Sequence, residues 1–336
     1  DELYEDGTNY RKLFGPFVKD WQTLTADLLS PLRIPKNPIG FARFGLQAIR
    51  SSDGLARATF RTPRARAHFG GLAAHSIMPL EKTGTAAFGL TLGILAHAVG
   101  WPLARGGSQA IANSLGAYLQ ALGGEIQTGR PIDTLANLPS SRATLLDVTP
   151  RQLLRIAGDT LPPAYRRSLS RFRYGPGVCK VDFALDGPIP WTAAACRQAA
   201  TIHLGGTLDE MRAAERSTWD GSHPDKPFVL LAQQSLFDPS RAPNGKHTVW
   251  AYCHVPHGSD RDMTAQIEDQ IERFAPGFRD LILHKHTYTA VAMQKYNPNY
   301  VGGDINGGVQ DLRQQYTRPA PRLVPYTTPV PGLFLC

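Results

Sequence analysis

The chain has 336 residues, of which 42% are hydrophobic and 19% charged, and its formal net charge is +8 at pH 7. This composition excludes an intrinsically disordered chain, and the length allows two domains, or one large domain, with a sizeable buried core. The four cysteines lie far apart and form no CxxC motif. That spacing argues against a zinc site or a thioredoxin-like motif and predicts reduced thiols in a cytoplasmic protein.

The positive charge is concentrated near the N-terminus. From Arg33 to Arg66 the sequence contains eight Lys and Arg residues and one acid, Asp53. Such a stripe suits either a solvated helical face or contact with anionic lipid headgroups. It lacks the aromatic interleaving of single-strand binders and accompanies no nucleic-acid motif, so no nucleic-acid partner is predicted.

The first third of the chain has helical periodicity. Apolar residues between Tyr10 and Leu28 recur at steps of three and four, which predicts one helix with a break at Gly15–Pro16. Pro31, Pro35 and Pro38 then separate it from short helices predicted at residues 41–49, 64–74 and 86–99. The last of these segments is the most apolar, but it is too short to span a bilayer and is expected to be a buried core helix.

Strands and helices alternate after Trp101. Gly106 and Gly107 precede a predicted helix, with Ser108 as its N-cap and Gly123–Gly124 as its stop. Short strands are predicted at residues 125–128 and 143–148, and a short helix at 150–156. This alternation is typical of an α/β layer.

Strands dominate residues 174–296. They are predicted at 178–185, 228–237, 247–255 and 282–293, with a covering helix at 263–274. The second and third flank a turn-rich loop and are expected to form an antiparallel pair. The chain ends in an apolar run, residues 333–335, that predicts a buried strand.

The motifs contain no complete nucleotide-binding fingerprint. There is no GxGxxG between a strand and a helix, no GxxxxGK[ST] and no GxSxG. Two glycine-rich turns remain, at 106–108 and 302–308, which permit close approach of a ligand to the backbone; a tight surface turn explains either equally well. The pairs His254/His257 and His284/His286 lack accompanying Asp, Glu or Cys ligands, so no metal is predicted.

Several segments together resemble phytoene dehydrogenases and related FAD-dependent oxidoreductases. They are WPLARGGS at 101–108 followed by a helix, LGGEI at 122–126, TGR at 128–130, NYVGGD at 299–304, Arg318–Pro319, and TPVPGLFLC at 328–336. The resemblance implies an α/β fold with an α+β substrate part. An incomplete Rossmann-like FAD domain, built from residues 101–157 and 298–336, would accompany a substrate domain. That domain would combine a helical cap, residues 1–100, with a mixed or antiparallel sheet and helices, residues 158–297.

The resemblance also implies FAD as the cofactor and indicates its contacts. Gly106, Gly107 and Ser108 would lie near the flavin, and Ile132 would meet the adenine end through its backbone. The remaining contacts would come from the C-terminal segments: Gly303 and Asp304 bordering the isoalloxazine, and Arg318 facing the same cavity. The N-terminal βαβ unit with its GxGxxG and a final glycine-rich segment are absent. We therefore expect a chain cut at both ends, inactive alone, that retains FAD weakly or not at all.

The predicted function is that of a dehydrogenase or desaturase that passes hydride from a hydrophobic substrate, such as an isoprenoid or a lipid, to FAD. The sequence assigns no catalytic acid or base. Two alternatives remain: a cofactor-free binding or scaffold domain, and a peripheral membrane module that uses the basic stripe from Arg33 to Arg66. The predicted location is the cytoplasm, with or without attachment to a membrane surface.

Overall fold

A computed structural model describes residues 3–30 and 33–336. Pro31, one of the prolines expected to separate the first helices, lies outside the described residues. The helices are α1 (Gly7–Lys19), α2 (Trp21–Leu28), α3 (Pro38–Ala48), α4 (Ser52–Thr59), α5 (Pro63–Ala73), α6 (Ala86–Ala98), α7 (Ser108–Ala121), α8 (Pro150–Ala157), α9 (Pro163–Ser170), α10 (Leu208–Trp219), α11 (Thr264–Phe274), α12 (Ala290–Tyr296) and α13 (Leu312–Thr317). The strands are β1 (Thr144–Leu146), β2 (Gly177–Leu185), β3 (Thr201–Leu204), β4 (Val229–Ala232), β5 (His247–Val255), β6 (Ile282–Tyr288) and β7 (Leu333–Leu335).

Helices α1–α6 form the predicted helical layer around an aromatic core. The ring of Phe17 meets Phe44 edge-on at 5.7 Å, and Phe14 lies 6.3 Å from Phe69. The break predicted at Gly15–Pro16 is wrong, because α1 continues through Pro16 and ends at Lys19. Phe14 and Phe17 are both buried on either side of the proline. Their packing outweighs the one backbone hydrogen bond that proline cannot donate.

Five strands form an antiparallel sheet in the order β3-β4-β5-β2-β6. Strand β5 pairs with β2 over the whole length of both, and its pairing with β4 confirms the predicted antiparallel pair, although β4 ends at Ala232. One face of the sheet packs on α11 through residues such as Ala251 and Ile267. The other face packs on the helical layer through Leu230 and Trp250. The sheet is therefore covered by helices on both sides.

A second, two-stranded sheet joins distant parts of the chain. Strands β1 and β7 are parallel, with Leu145 opposite Phe334, and they share a separate core with α8 and α9. The strand predicted at residues 125–128 is wrong, since that segment has no ladder partner. Together the parallel pair, the antiparallel sheet and the helices confirm the α/β class with an α+β part. The predicted domain division stays a prediction.

Over residues 3–30 and 33–336, none of the helices combines the length and the apolar character that a membrane crossing requires.

Close contact between α1 and α6 gives a test of the helical layer. A Cβ added at Gly93 in α6 would overlap the ring of Phe14, whereas a Cβ at Gly45 in α3 would have no atom within 4 Å. We expect Gly93→Ala to lower the free energy of unfolding by about 1–3 kcal/mol. Gly45→Ala is the matched control and should raise it by up to about 1 kcal/mol, since alanine favours the helix. Urea denaturation measures both, and equal effects would contradict the packing described.

Candidate active site

A cluster of ionisable side chains lies where the helical layer meets the sheet. It comes from a 3-10 turn after α5, from two strands and from α10, and we call it the histidine cluster. Alternation along β3 buries Ile202 and Leu204 on the α11 side, so the intervening residue faces the helical layer. The histidine cluster consists of His75, His203, His254 and Glu215.

His75 and His203 form a direct pair. Their Nε2 atoms are 3.0 Å apart, and the ring of Trp101 lies 6.5 Å and 6.3 Å from their centroids. Burial, together with the charge of His254, lowers the pKa of His75 to about 4. Burial, together with the charge of His75, lowers the pKa of His203 to about 3. Both rings are therefore neutral at neutral pH, and one Nε2–H donates to the other Nε2.

His254 and Glu215 form a second, fully buried pair. The side chains are 2% and 3% exposed, and His254 Nδ1 lies 2.8 Å and 2.9 Å from the two carboxylate oxygens. Donation from Nδ1 fixes the ring orientation and leaves Nε2 for another partner. The ring of Phe228 lies 5.6 Å from His203 and 5.7 Å from His254, so it connects the two pairs.

The backbone beside His75 is strained. Ile77 has φ 49° and ψ 43°, a left-handed conformation that costs a β-branched residue on the order of 1–3 kcal/mol. The hydroxyl of Ser76 is buried and has no hydrogen-bond partner within the part of the chain that the structure describes. Strain and unsatisfied polar groups are concentrated at functional sites in proteins, which supports this cluster as the candidate site.

The sheet face that carries His254 continues as an aromatic surface. Trp250 and Tyr252 are stacked with an interplanar angle of 3° and centroids 6.0 Å apart. Burial raises the pKa of Tyr252 to about 12, so its phenol stays protonated. Lys180, opposite Tyr252 on β2, forms an ion pair with Asp182. A surface of stacked rings with its charges already paired suits a flat or apolar ligand.

The predicted turn at 106–108 lies against the loop that follows β4. Gly106 N–H donates to Asp238 Oδ2 at 2.6 Å, and a Cβ at Gly107 would overlap the Arg241 guanidinium. The prediction of Ser108 as N-cap is wrong by one residue. Gly107 is the N-cap, with φ 93°, and Ser108 is the first residue of α7, whose N-cap makes no side-chain hydrogen bond.

Ile132, predicted to meet the adenine end, is partly buried against the core that β1 and β7 share with α8 and α9.

Gly303, Asp304 and Arg318 lie together at the other glycine-rich turn. A Cβ at Gly303 would overlap Ala290, so internal packing already requires glycine there. Asp304 accepts hydrogen bonds from Gly175 N–H at 2.7 Å and Asn306 N–H at 2.8 Å, and burial raises its pKa. Burial lowers the pKa of Arg318, while the charge of Asp304 opposes that shift. The guanidinium donates to the side-chain oxygens of two glutamines, Gln310 and Gln315.

The two glycine turns are connected to opposite ends of β5 through other elements. The loop against Gly106 is held to Thr248 at the start of the strand through Ser235. The other turn packs on Gly177, which pairs with Val255 at the end of the strand. A nine-residue strand spans roughly 30 Å, so the turns do not meet directly. That both border one flavin stays a prediction.

No protein-family model and no curated protein matches this sequence. Solved structures do match its fold. A putrescine oxidase bound to putrescine matches with a TM-score of 0.54 at 13% identity, over 98% of this chain and 70% of that chain. An oxidoreductase from Methanosarcina mazei matches with a TM-score of 0.52 at 13% identity, over 96% of this chain and 69% of that chain. The chain therefore has the fold of these oxidoreductases.

Sequence reasoning missed the histidine cluster because its members are far apart along the chain. His75 and His203 are separated by 128 positions, and no motif connects them. Along the chain, the histidine nearest to His254 is His257, which is not a member of the cluster. The latter ring instead pairs through Nδ1 with the carbonyl of Gly175, at 2.8 Å.

The His75–His203 pair makes stability depend on pH. Because both pKa values lie below the ordinary 6.5, the unfolded chain binds more protons than the folded one as pH falls from 6.5 to about 4. The free energy of unfolding should be fully retained above pH 6.5. Below it, the loss should be at most roughly 1.4 kcal/mol per pH unit for each histidine. Urea denaturation at pH 7.5, 6.5 and 5.5 measures the slope. His203→Asn should reduce this dependence of the free energy of unfolding on pH, whereas the exposed control His284→Asn should not. Identical slopes in the two variants would contradict the pairing of His75 with His203.

The buried His254–Glu215 pair predicts a large effect of one truncation. Glu215→Ala leaves His254 Nδ1 without its acceptor and should lower the free energy of unfolding by about 3–5 kcal/mol. Glu215→Gln keeps an acceptor oxygen and should cost less. Exposed Glu125→Ala is the matched control, expected within about 0.5 kcal/mol of the parent. Thermal or urea unfolding compares them, and a Glu215→Ala protein as stable as the control would contradict the structural role of the His254–Glu215 hydrogen bond.

Proposed function

We propose that this chain forms the substrate-binding part, and some of the cofactor-binding part, of a flavin-dependent oxidoreductase that oxidises a hydrophobic substrate. The observation that carries the proposal is the fold shared with a putrescine oxidase over 98% of the chain. Because a fold alone does not fix a reaction, the cofactor and reaction class come from the resemblance to phytoene dehydrogenases. The motifs that support it are those at residues 101–108 and 299–304.

The residues around α7 fit part of a flavin nucleotide. Gly106 has φ 79° and is exposed, and a Cβ there would meet only Ala110 at 3.9 Å, so a ligand can approach its Cα although its N–H is already donated to Asp238. Helix α7 begins two residues later, and a helix N-terminus favours an anion. Of the predicted contacts, we propose Gly106, Gly107 and Ser108 for the flavin nucleotide. From the resemblance we also propose that the backbone of Ile132 meets the adenine end. Contacts on the isoalloxazine side would come from Gly303, Asp304 and Arg318.

Two exposed surfaces support a larger assembled enzyme. Helix α7 has no buried residue. Parallel strands are normally buried on both faces, yet Leu145 of the β1–β7 pair is exposed. We propose that further parts of an FAD-binding domain cover these surfaces and supply the pyrophosphate site. The apolar residues exposed on and just after α7 are Ile111, Leu115, Tyr118, Leu119 and Leu122.

FAD, when bound, would accept the two electrons of the oxidation. The chain's own residues would hold the substrate and move the proton. We propose His254 Nε2 as the proton acceptor, because Glu215 holds the opposite nitrogen and stabilises the protonated ring. His75 and His203 are neutral at neutral pH, so they would lie beside the substrate without adding charge. Trp101 and the neighbouring rings would exclude water.

The charges at the site favour an uncharged substrate. Glu215 is already paired with His254, and Asp182 with Lys180, so neither carboxylate is free to bind an ammonium group. The matched putrescine oxidase is bound to putrescine, a diamine. We propose instead that this protein oxidises an apolar molecule of the isoprenoid or lipid class, for which stacked aromatic rings provide binding surface.

FAD titration tests the proposal. Quenching of flavin fluorescence by the 336-residue protein should be saturable with a Kd of roughly 10–100 µM, because the GxGxxG motif is absent. Gly106→Val should weaken binding about tenfold or more by blocking the backbone. Gly123→Val is the matched control, another exposed positive-φ glycine with open space around it, and should change the Kd less than about twofold.

Absence of saturable quenching would contradict the proposal that this chain holds flavin contacts of its own. Equal weakening by both variants would contradict the assignment of the 106–108 turn to the flavin.

A further inference from the structure

We propose that α2, α3 and the described residues between them, 29–30 and 33–37, form a docking surface for an anionic membrane. Four apolar side chains in this stretch are almost fully exposed: Leu29 is 84% exposed, Ile34 87%, Ile39 76% and Leu46 70%. A single exposed apolar side chain is ordinary on a protein surface. A concentration of large ones within one short stretch of chain indicates an interaction site.

Helix α3 turns a mixed apolar and basic stripe outward. Ile39, Arg43 and Leu46 recur at steps of four and three, which places them on one side of the helix. Phe44 and Ala48 are buried on the opposite side against the helical layer. Because the core uses only that inner side, the outward stripe is not required for folding and is available to a partner.

The charge of this surface favours anionic lipid. Residues 28–50 contain four basic side chains and no Asp or Glu. The nearest acid, Asp27, already accepts from Arg33 at 3.1 Å and from the backbone N–H of Lys36 at 2.8 Å. Among the described residues, no ion pair neutralises Lys36 or Arg43. A second copy of this surface would bring like charges together, whereas anionic headgroups complement them beside the apolar side chains.

Not all basic residues of the stripe predicted from Arg33 to Arg66 are available to a partner. Arg57 forms ion pairs with Asp53 and Asp209, and Arg66 donates to the carbonyl of Phe60. These two arginines of the C-terminal half are therefore engaged within the protein. The proposed surface uses the N-terminal half of the stripe.

A cavity of about 290 Å³ lies beside the docking surface, between α1, α2 and α3. Phe17, Leu24, Ile39 and Phe41 contribute its apolar walls. Asp20 lies in its polar part and accepts from the Asn37 side chain at 2.8 Å. Asp27 and Arg43 also line it, so two carboxylates face one guanidinium there, and the docking proposal rests on the outward side chains rather than on this cavity.

Vesicle co-sedimentation of the 336-residue protein tests the inference. The probes are phosphatidylcholine vesicles with and without about one third phosphatidylglycerol. Binding to the anionic vesicles should fall roughly tenfold when salt is raised from low to high concentration. Lys36→Glu/Arg43→Glu should weaken binding to anionic vesicles about tenfold or more, and Ile39→Ser/Leu46→Ser should do the same by removing apolar contact.

The exposed apolar side of α7 offers a matched control. Residues 108–124 contain no Lys or Arg, so Leu115→Ser/Leu119→Ser should leave vesicle binding within about twofold of the parent. All variant positions are exposed, and circular dichroism verifies that each protein folds.

The proposal would be overturned if the protein bound neither type of vesicle. It would also be overturned if the α7 control lost as much vesicle binding as the variants of α3 and Lys36. The proposal would also be overturned if light scattering showed a dimer, if Ile39→Ser/Leu46→Ser dissociated that dimer, and if the protein did not bind vesicles. Membrane binding does not depend on the flavin proposal, so failure of the FAD titration leaves this test intact.

Discussion

The antiparallel ladder between β2 and β5 is the constraint on which the rest of the structure depends. It fixes the pleat of β5, so that Val249, Ala251 and Cys253 point into the core under α11. The intervening residues Trp250 and Tyr252 then face the helical layer. One strand thus supplies the core on one side and the candidate site on the other. A shift of register by one residue would exchange the two faces and bury the polar groups.

The candidate site is polar within an otherwise aromatic junction, and its polar groups are tolerated because they pair with each other. His75 bonds His203 as a neutral ring, and Glu215 satisfies His254. Both polar pairs are thereby satisfied within the buried junction. The strain at Ile77 is offset by the packing of the helical layer around it.

Much of the fold could be predicted from local pattern, since β5 and the helix α11 lie almost where periodicity placed them. Helix α10 was missed although Thr207 and Glu210 form a capping box that the sequence displays. The break predicted at Gly15–Pro16 was wrong because buried rings on both sides decide that position. The site could not be predicted, because glycine patterns do not reveal what approaches them: at Gly303 it is Ala290.

The Nε2-to-Nε2 arrangement of the two imidazoles has a consequence for proton movement. With one hydrogen between the rings, the outer nitrogens differ: one carries a proton and the other a lone pair. Burial keeps both rings neutral at neutral pH, so a shift of the shared hydrogen from one ring to the other has to be accompanied by exchange of the outer protons. The tautomers of His75 and His203 are therefore coupled across the junction between the helices and the sheet.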